Sequence, residues 1–427
     1  MSGPTTAPSA PATRLLRKLG VADAVVIGLG SMIGAGIFAA LAPAAAAAGP
    51  ALLVGLMVAA FVAYCNATSS AALAALYPES GGTYVYGRRR LGAFWGFLAG
   101  WGFVTGKLAS CAAMALTFAA YAAPAFSRPL AILAVIALTA VNYFGISRTV
   151  LATRVIVAVV LACLAVVVFA AAFGGNVDVT RAIPGSAPGI RGILQAAGFL
   201  FFAFAGYARI ATLGEEVIDP ARTIPRAIPL ALGLTLLVYA AVAISALVTV
   251  DARDLAGTRA PLVHVVESGR WSALAPAVRI GAAIASLGVL LSLLAGVSRT
   301  AFAMAGNRDL PRFLASVHAR HRVPDHAELA AGAIVALIVL IADVRDAIGF
   351  SSFAVLVYYA IANASAVTLR RDERRWPRAL AIAGLAGCAL VAISLPWQSI
   401  LEALVLLLAG AAVYAMRRRQ RSSGAQR

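Results

Sequence analysis

The sequence GSMIGAGIF (residues 30–38) lies inside a long apolar run and places three glycines where a continuous helix is otherwise expected. Each of Gly30, Gly34 and Gly36 lowers the preference for helix by about 1 kcal/mol relative to alanine. One interpretation is close helix packing, because small residues four positions apart let two backbones approach. The other is a break in a membrane-spanning helix. A nucleotide-binding loop is disfavoured, because the glycine spacing is wrong and no strand precedes it.

The composition of the chain indicates a membrane protein. Of its 427 residues, 62% are hydrophobic and only 12% are charged. A soluble domain of this size cannot bury so much apolar surface, so the bilayer is predicted to act as solvent. The four cysteines lie in apolar runs without metal-ligand spacing, which predicts small buried side chains.

Twelve apolar runs are long enough to span a membrane, since a helix rises about 1.5 Å per residue across about 30 Å of hydrocarbon. They are predicted at 21–48, 51–76, 92–123, 129–147, 150–174, 192–213, 227–250, 277–305, 327–342, 350–369, 378–395 and 399–416. The expected fold is therefore an all-α integral membrane protein. Residues 1–20 are predicted to form a disordered cytoplasmic tail, and residues 417–427 a basic cytoplasmic tail.

The distribution of basic residues predicts the orientation. With the N-terminus in the cytoplasm and alternating spans, the cytoplasmic segments hold 26 of the 35 basic residues and the outer segments hold 8. This bias follows the positive-inside rule and places both termini inside the cell (inner) membrane. The net charge of +18 therefore indicates contact with membrane lipids and not with nucleic acid. Residues 251–276, mixed in charge, are predicted to form an outer loop.

A second interruption lies in the sixth predicted span, where Gly206 stands within FLFFAFAGYARIATLGEE (199–216). The two interruptions hold corresponding positions in two five-helix halves, 21–174 and 192–369, which spans 11 and 12 follow at 378–416. Paired glycine-interrupted helices in an internal repeat indicate the substrate site of a transporter. The reason is that an unwound helix exposes N–H and C=O groups, which can bind the carboxylate and the ammonium of an amino acid.

Four segments resemble the amino acid–polyamine–organocation (APC) superfamily, whose members share the LeuT-type fold of two inverted five-helix repeats. They are GSMIGAGIF (30–38), YPESGGTYVYGRRRLG (77–92), FFAFAGYARIATLGEEVIDPARTIPRAI (201–228) and SRTAFAMAGNRDLPRFLASV (298–317). The third is the most specific, because a broken span runs into E-E-x-x-x-P-x-R-x-x-P-x-A-I. The resemblance implies a secondary transporter of amino acids or amines that works by alternating access, with no cofactor and no enzymatic activity.

The resemblance also implies a substrate site at the two breaks and on the eighth span. Its residues are Ile33, Gly34, Ala35, Gly36, Phe202, Ala203, Ala205, Gly206, Tyr207, Leu291 and Ser292. Backbone N–H groups of the first break would meet the carboxylate, and carbonyls of the second break would meet the amine. Phe202 would be a gating aromatic, although packing against lipid or the core is the alternative for Phe202 and Tyr207. The apolar lining and the lack of an acid near either break favour neutral amino acids.

Coupling to an ion is expected to involve Lys107, near the centre of the third span, where inserting a lysine costs about 2.5–3.5 kcal/mol. The hypothesis is that Lys107 titrates or replaces a bound cation, and so couples proton movement to transport. A structural lysine bonded to backbone carbonyls is the alternative. Simple exchange also stays open, as does a sodium site formed by carbonyls of Gly30 and Ile33 with a hydroxyl of Ser286 or Ser292.

Four charged residues after the sixth span, Glu215, Glu216, Arg222 and Arg226, are predicted to form the charge pairs of a cytoplasmic gate. A solvated basic loop is the alternative. For the whole chain, two other functions stay open: an exporter of amino acids or cationic drugs, and a transporter-like sensor that binds its ligand without moving it. The sequence contains no P-loop, zinc or nucleophile motif that would support ATP-driven transport or catalysis.

Overall fold

The structure is a computed structural model that describes residues 19–34, 36–77, 81–145, 150–184, 189–207, 210 and 217–424. Over these residues the chain is helical, and its only β-type pairing is an isolated bridge between Leu19 and Val217. The helices are α1 (Val21–Met32), α2 (Gly36–Ala48), α3 (Leu52–Leu76), α4 (Thr83–Arg90), α5 (Ala93–Ala122), α6 (Ser127–Tyr143), α7 (Val150–Ala172), α8 (Ile190–Phe204), α9 (Pro220–Thr249), α10 (Ala252–Gly257), α11 (Pro261–Glu267), α12 (Ala275–Gly306), α13 (Asp325–Ile341), α14 (Val344–Val367), α15 (Arg378–Ser394) and α16 (Trp397–Gly424).

The predicted spans coincide with helices. The first span is divided into α1 and α2, and the sixth begins with α8. Within the described ranges, nine helical segments are long and apolar enough to cross a membrane, and α1 and α15 are shorter apolar helices. The prediction of an all-α multi-pass membrane protein is confirmed. The division into repeats at 21–174 and 192–369 stays a prediction, and the tail at 1–20 lies almost wholly outside the described residues.

Contacts between loops keep the predicted inner and outer segments at opposite ends of the bundle. At one end, Arg90 after the second span pairs with Glu373 after the tenth. At the other end, the Arg181 guanidinium donates to the carbonyl of Thr249 over 2.7 Å. The chain therefore alternates between two ends, as the charge pattern requires. The assignment of the Arg90 end to the cytoplasm stays a prediction.

The segment 251–276 differs from the loop that the sequence predicted, because it contains the two short helices α10 and α11. The Asp251 side chain caps α10 by accepting from the N–H of Arg253 over 2.9 Å, and Pro261 begins α11. Leu255 and Leu262 are fully buried, since both helices pack against α2. Local caps and tertiary packing therefore stabilise helices that are too short to stand out in the apolar pattern.

Helix α5 lies at the centre of the bundle, packed against α12 and α14. Gly106 lets it approach α14 closely, because a Cβ at this position would lie 2.8 Å from the side chain of Ala354. One turn further on, the hydroxyls of Ser110 and Ser351 lie 2.7 Å apart and join the same two helices. This packing places Lys107 inside the protein. All four cysteines are buried and free, as predicted.

Candidate functional site

The first predicted break separates α1 from α2. Helix α1 ends at Met32, and Ile33 closes its last turn by donating from its N–H to the Leu29 carbonyl over 2.7 Å. Helix α2 begins at Gly36. Ile33 and Gly34 are buried between the two helices, whereas Ala35 lies outside the described residues. The glycine-rich segment therefore interrupts the helix, as its composition suggested.

The second predicted break follows α8. The α-helix ends at Phe204, and Ala205–Tyr207 form a single 3₁₀ turn. Tyr207 is fully buried and stacks on Tyr359 of α14, with ring centroids 5.1 Å apart. Phe202, the predicted gating aromatic, is only half-buried. Tyr207 is therefore surrounded by the core, and Phe202 packs against the core while part of its side chain stays accessible.

The two breaks touch each other through glycines. A Cβ at Gly206 would overlap the carbonyl of Ser31 and lie 2.8 Å from the N atom of Met32. On the other side, a Cβ at Gly36 would lie 2.6 Å from the Cα of Ala203. Both contacts are with backbone, so no side-chain rotation could make room for a larger residue. Glycine is therefore required for the two interrupted helices to meet.

The other two glycines of the first segment fit the packing interpretation as well. A Cβ at Gly30 would lie 2.9 Å from the side chain of Val157 on α7, and one at Gly34 would overlap the side chain of Val289 on α12. The break and the close packing are therefore both present. Gly30 in α1 and Gly34 after it leave room for the side chains of α7 and α12 beside the first break.

Two buried tyrosines bind the carbonyls at the breaks. The Tyr239 hydroxyl of α9 lies within hydrogen-bonding distance of the Met32 carbonyl and 3.1 Å from the Ala203 carbonyl. The Tyr359 hydroxyl donates to the carbonyl of Ala205 over 3.3 Å. These hydroxyls supply donors for carbonyls that the unwinding leaves without helical partners, and Met32 and Ala203 share the single Tyr239 hydrogen. A carbonyl has two lone pairs, so Ala203 and Ala205 can still accept a second donor.

A cleft with about 310 Å³ of empty space lies beside the first break, between α1, α7 and α12. Its lining consists of Leu29, Gly30, Ile33, Gly34, Thr153, Ile156, Val157, Val160, Ala285, Gly288 and Val289. No acidic or basic side chain is among these residues. The lining suits an apolar side chain.

The cleft brings together some of the predicted residues and leaves others apart. Ile33, Gly34 and Gly30 line it. Leu291 and Ser292 do not: Leu291 is half-buried with its carbonyl bonded to Asn142, and Ser292 is exposed. On the eighth span the cleft is lined by Ala285, Gly288 and Val289, and the role of Leu291 and Ser292 stays a prediction. For the sodium alternative, Ser286 donates its hydroxyl to the Ala282 carbonyl of its own helix over 2.7 Å.

Lys107 is buried in α5, with 8% of its surface exposed. Among the residues that the structure describes, none forms a hydrogen bond or an ion pair with its ammonium group. Cys111, one turn further along the same helix, is close enough for an electrostatic interaction with this group. The structural alternative, a lysine bonded to backbone carbonyls, is therefore not supported by a contact with this part of the chain.

Glu328 is an intramembrane acid that the sequence analysis did not single out, because it lies near the start of a predicted span. It is 2% exposed, and its carboxylate accepts from Asn142 Nδ2 of α6 over 2.8 Å. The same amide nitrogen donates to the Leu291 carbonyl of α12 over 3.2 Å. Asn142 therefore links a buried carboxylate to the helix that carries the cleft. The sequence signal that could have pointed to this contact is Asn142, a polar residue within an apolar helix.

The predicted gate is only partly described. Glu215 and Glu216 lie outside the described residues. Arg222 and Arg226 are exposed, and Arg222 pairs with Asp219 over 3.5 Å on the same helix turn. An exposed pair of this kind contributes little to stability.

A buried charge network joins α4 to the end of α12 instead. Asp309, 3% exposed, accepts from the Tyr84 hydroxyl over 2.7 Å and from Arg88 over 3.2 Å. Nearby, the N–H of Arg370 and the guanidinium of Arg90 bind the Glu373 carboxylate, which holds the pKa of Glu373 below its ordinary value. These pairs tie together three loops at the predicted cytoplasmic end.

The broken helices, the apolar cleft and the buried ionisable groups together define a membrane transporter. A sequence profile described as amino acid permease matches residues 23–425, nearly the whole chain. The protein therefore belongs to the amino acid permease family, and the predicted APC resemblance is confirmed.

The individual proteins to which the chain is similar are also transporters. The chain is 61% identical over 404 residues to uncharacterized transporters of Mycobacterium tuberculosis and Mycobacterium bovis, covering 95% of this chain and 92% of theirs. It is 28% identical to the branched-chain amino acid permease BcaP of Bacillus subtilis, covering 96% and 94%. It is 27% identical to the chloroplastic cationic amino acid transporter 7 of Arabidopsis thaliana, covering 90% and 71%. These proteins are transporters and not enzymes.

Proposed function

We propose that this permease carries a neutral, apolar amino acid across the cell membrane by alternating access. The observation that carries the proposal is the contact between the two breaks, Gly206 on Ser31 and Gly36 on Ala203, beside an apolar cleft. The amide groups near Ile33 would bind the substrate carboxylate. The carbonyls near Ala203 would bind its ammonium, and the cleft would take the side chain.

The choice of a neutral substrate rests on charge. A cationic side chain needs an acid or a set of oxygens, and no acidic residue lines the cleft. The similarity to a branched-chain amino acid permease supports a neutral substrate. The similarity to a cationic amino acid transporter makes cationic amino acids the competing substrate class.

In this proposal, access to the site is closed at the end that carries α10 and α11. Phe38 on α2 and Phe201 on α8 are fully buried, and the Phe38 ring packs edge-on against Tyr121 at 5.7 Å. By the positive-inside orientation, this is the outer end, and both termini are cytoplasmic. Movement of α1 relative to α8 would then open the site to the cytoplasm.

We further propose that Lys107 couples transport to protons. Burial without a described partner favours the neutral amine of Lys107 over its ammonium form. A change in the hydration of Lys107 during the cycle would therefore change its charge. Exchange of one amino acid for another, without an ion, is the competing scheme.

Counterflow in proteoliposomes tests the proposed function. Vesicles are preloaded with unlabelled leucine, valine, arginine or lysine, and labelled leucine is then added outside without an ion gradient. We expect accumulation with leucine or valine inside and none in empty vesicles. Accumulation driven only by arginine or lysine would reassign the substrate class. If folded protein gives no counterflow with any amino acid or amine, the proposal fails in favour of a drug exporter or a ligand sensor.

A further inference from the structure

A second cleft, remote from the breaks, lies between the ends of α3 and α14 and the start of α15, with about 290 Å³ of empty space. Its polar lining is formed by Thr68, Ser69, Arg374, Arg375, Trp376 and Arg378, and we call these six residues the arginine cleft. The rest of the lining is apolar. We propose that the arginine cleft binds the phosphodiester headgroup of an anionic phospholipid in the membrane leaflet on this side.

The charge of the arginine cleft is not neutralised by the protein. No acidic side chain lines it, and the neighbouring Glu373 already binds Arg90 and the backbone of Arg370. Arg374 uses one N–H for the Leu369 carbonyl over 2.7 Å. The Arg378 side chain is exposed and makes no hydrogen bond within the described part of the chain. Guanidinium groups bind the oxygens of a phosphate in pairs, which suits such a site.

One hydroxyl in the arginine cleft is available to a ligand. Thr68 donates its hydroxyl to the Cys65 carbonyl over 2.8 Å. Ser69 is only 4% exposed, yet its hydroxyl forms no hydrogen bond with any described residue. The Ser69 hydroxyl can therefore donate to a ligand in the cleft. A phosphate oxygen held by Arg378 could accept from Ser69.

The surroundings favour a lipid over a free anion. Met57, Phe61 and Tyr64 form an exposed apolar stripe along α3, with 57%, 55% and 38% of their surface accessible. Thr68 follows Tyr64 by one helical turn, so the stripe leads into the arginine cleft. Trp376 is half-buried beside the arginines, as is typical of aromatic residues at the membrane interface. Acyl chains along the stripe would therefore bring a headgroup to the arginines.

Native mass spectrometry of the delipidated full-length protein tests this proposal. Phosphatidylglycerol and phosphatidylcholine are titrated in turn into the wild type and three variants. We expect phosphatidylglycerol to bind more tightly than phosphatidylcholine. Arg378→Gln should weaken phosphatidylglycerol binding about five-fold, and Ser69→Ala about ten-fold. Arg371→Gln, an equal change of charge on a neighbour outside the cleft, should bind as the wild type does.

Three results would overturn the proposal. The first is equal binding of the two lipids, and the second is equal weakening by Arg371→Gln and Arg378→Gln. The third is displacement of phosphatidylglycerol by inorganic phosphate alone, which would make the arginine cleft a site for a free anion. Leucine counterflow of each variant reports whether it is folded, since the arginine cleft shares no lining residue with the first cleft.

Discussion

Replacing Gly206 by alanine tests the contact between the two breaks. The new methyl group would overlap the Ser31 carbonyl and lie 2.8 Å from the N atom of Met32, where ordinary contact begins at 3.4 Å. Backbone atoms cannot rotate away, so α1 and the 3₁₀ turn must separate by roughly 1 Å. Such overpacking costs about 1–3 kcal/mol, which corresponds to a factor of about 5–150 in any equilibrium that requires the contact.

Gly233→Ala is the matched control for this prediction. Gly233 is exposed on α9 with no atom within 4 Å of an added Cβ. Alanine is a better helix former there, by up to about 1 kcal/mol. We expect Gly206→Ala to lower both thermal stability and leucine counterflow, whereas Gly233→Ala should leave counterflow unchanged and stability equal or higher. Thermal unfolding of the purified variants and counterflow in proteoliposomes measure the two effects.

The reasoning would be refuted by a Gly206→Ala variant that unfolds and transports as the wild type does. Equal damage from Gly233→Ala would refute it too, because the effect would then reflect helix glycines in general. A variant that is destabilised but transports normally would show that the contact supports the fold without positioning the substrate groups.

Three other substitutions probe separate contacts. Tyr239→Phe removes the hydroxyl between the carbonyls of Met32 and Ala203; we expect a loss of about 0.5–1.5 kcal/mol in thermal unfolding and slower counterflow. Lys107→Met removes the buried charge, so uptake should lose its dependence on pH near neutrality while counterflow persists; an unchanged pH profile would exclude Lys107 from coupling. Glu373→Gln should destabilise the protein at neutral pH but not in strong acid. The folded pKa of Glu373 is lowered, so its contribution is present above the unfolded pKa and lost as the pH falls through the folded value. A stability difference that persists in strong acid would contradict this assignment.

The sequence was sufficient to predict the spans and both breaks, because the bilayer imposes a constraint along the chain itself. A spanning helix needs a long apolar run, and glycines within it weaken the helix where they stand. Gly36 and Gly206 were found in this way before any contact was known.

Depth and register within the bundle could not be predicted. Glu328 lies near the start of the ninth predicted span, and only the packing of α6 and α12 around it shows that it is buried. Val289 lines the cleft and Leu291 does not, although they are two residues apart, because two residues turn a helix by about 200°. Which face of a helix meets its neighbours is decided by tertiary packing, which leaves little trace in an apolar sequence.

The Tyr239 hydroxyl has one hydrogen and two acceptors, and these belong to different helices: Met32 ends α1, and Ala203 lies in α8. The two helices therefore compete for a single donor. If they slide past each other, the hydrogen can pass from one carbonyl to the other, and the donor is never stranded without a partner. The contact can therefore hold in two arrangements of the helices, one for each carbonyl.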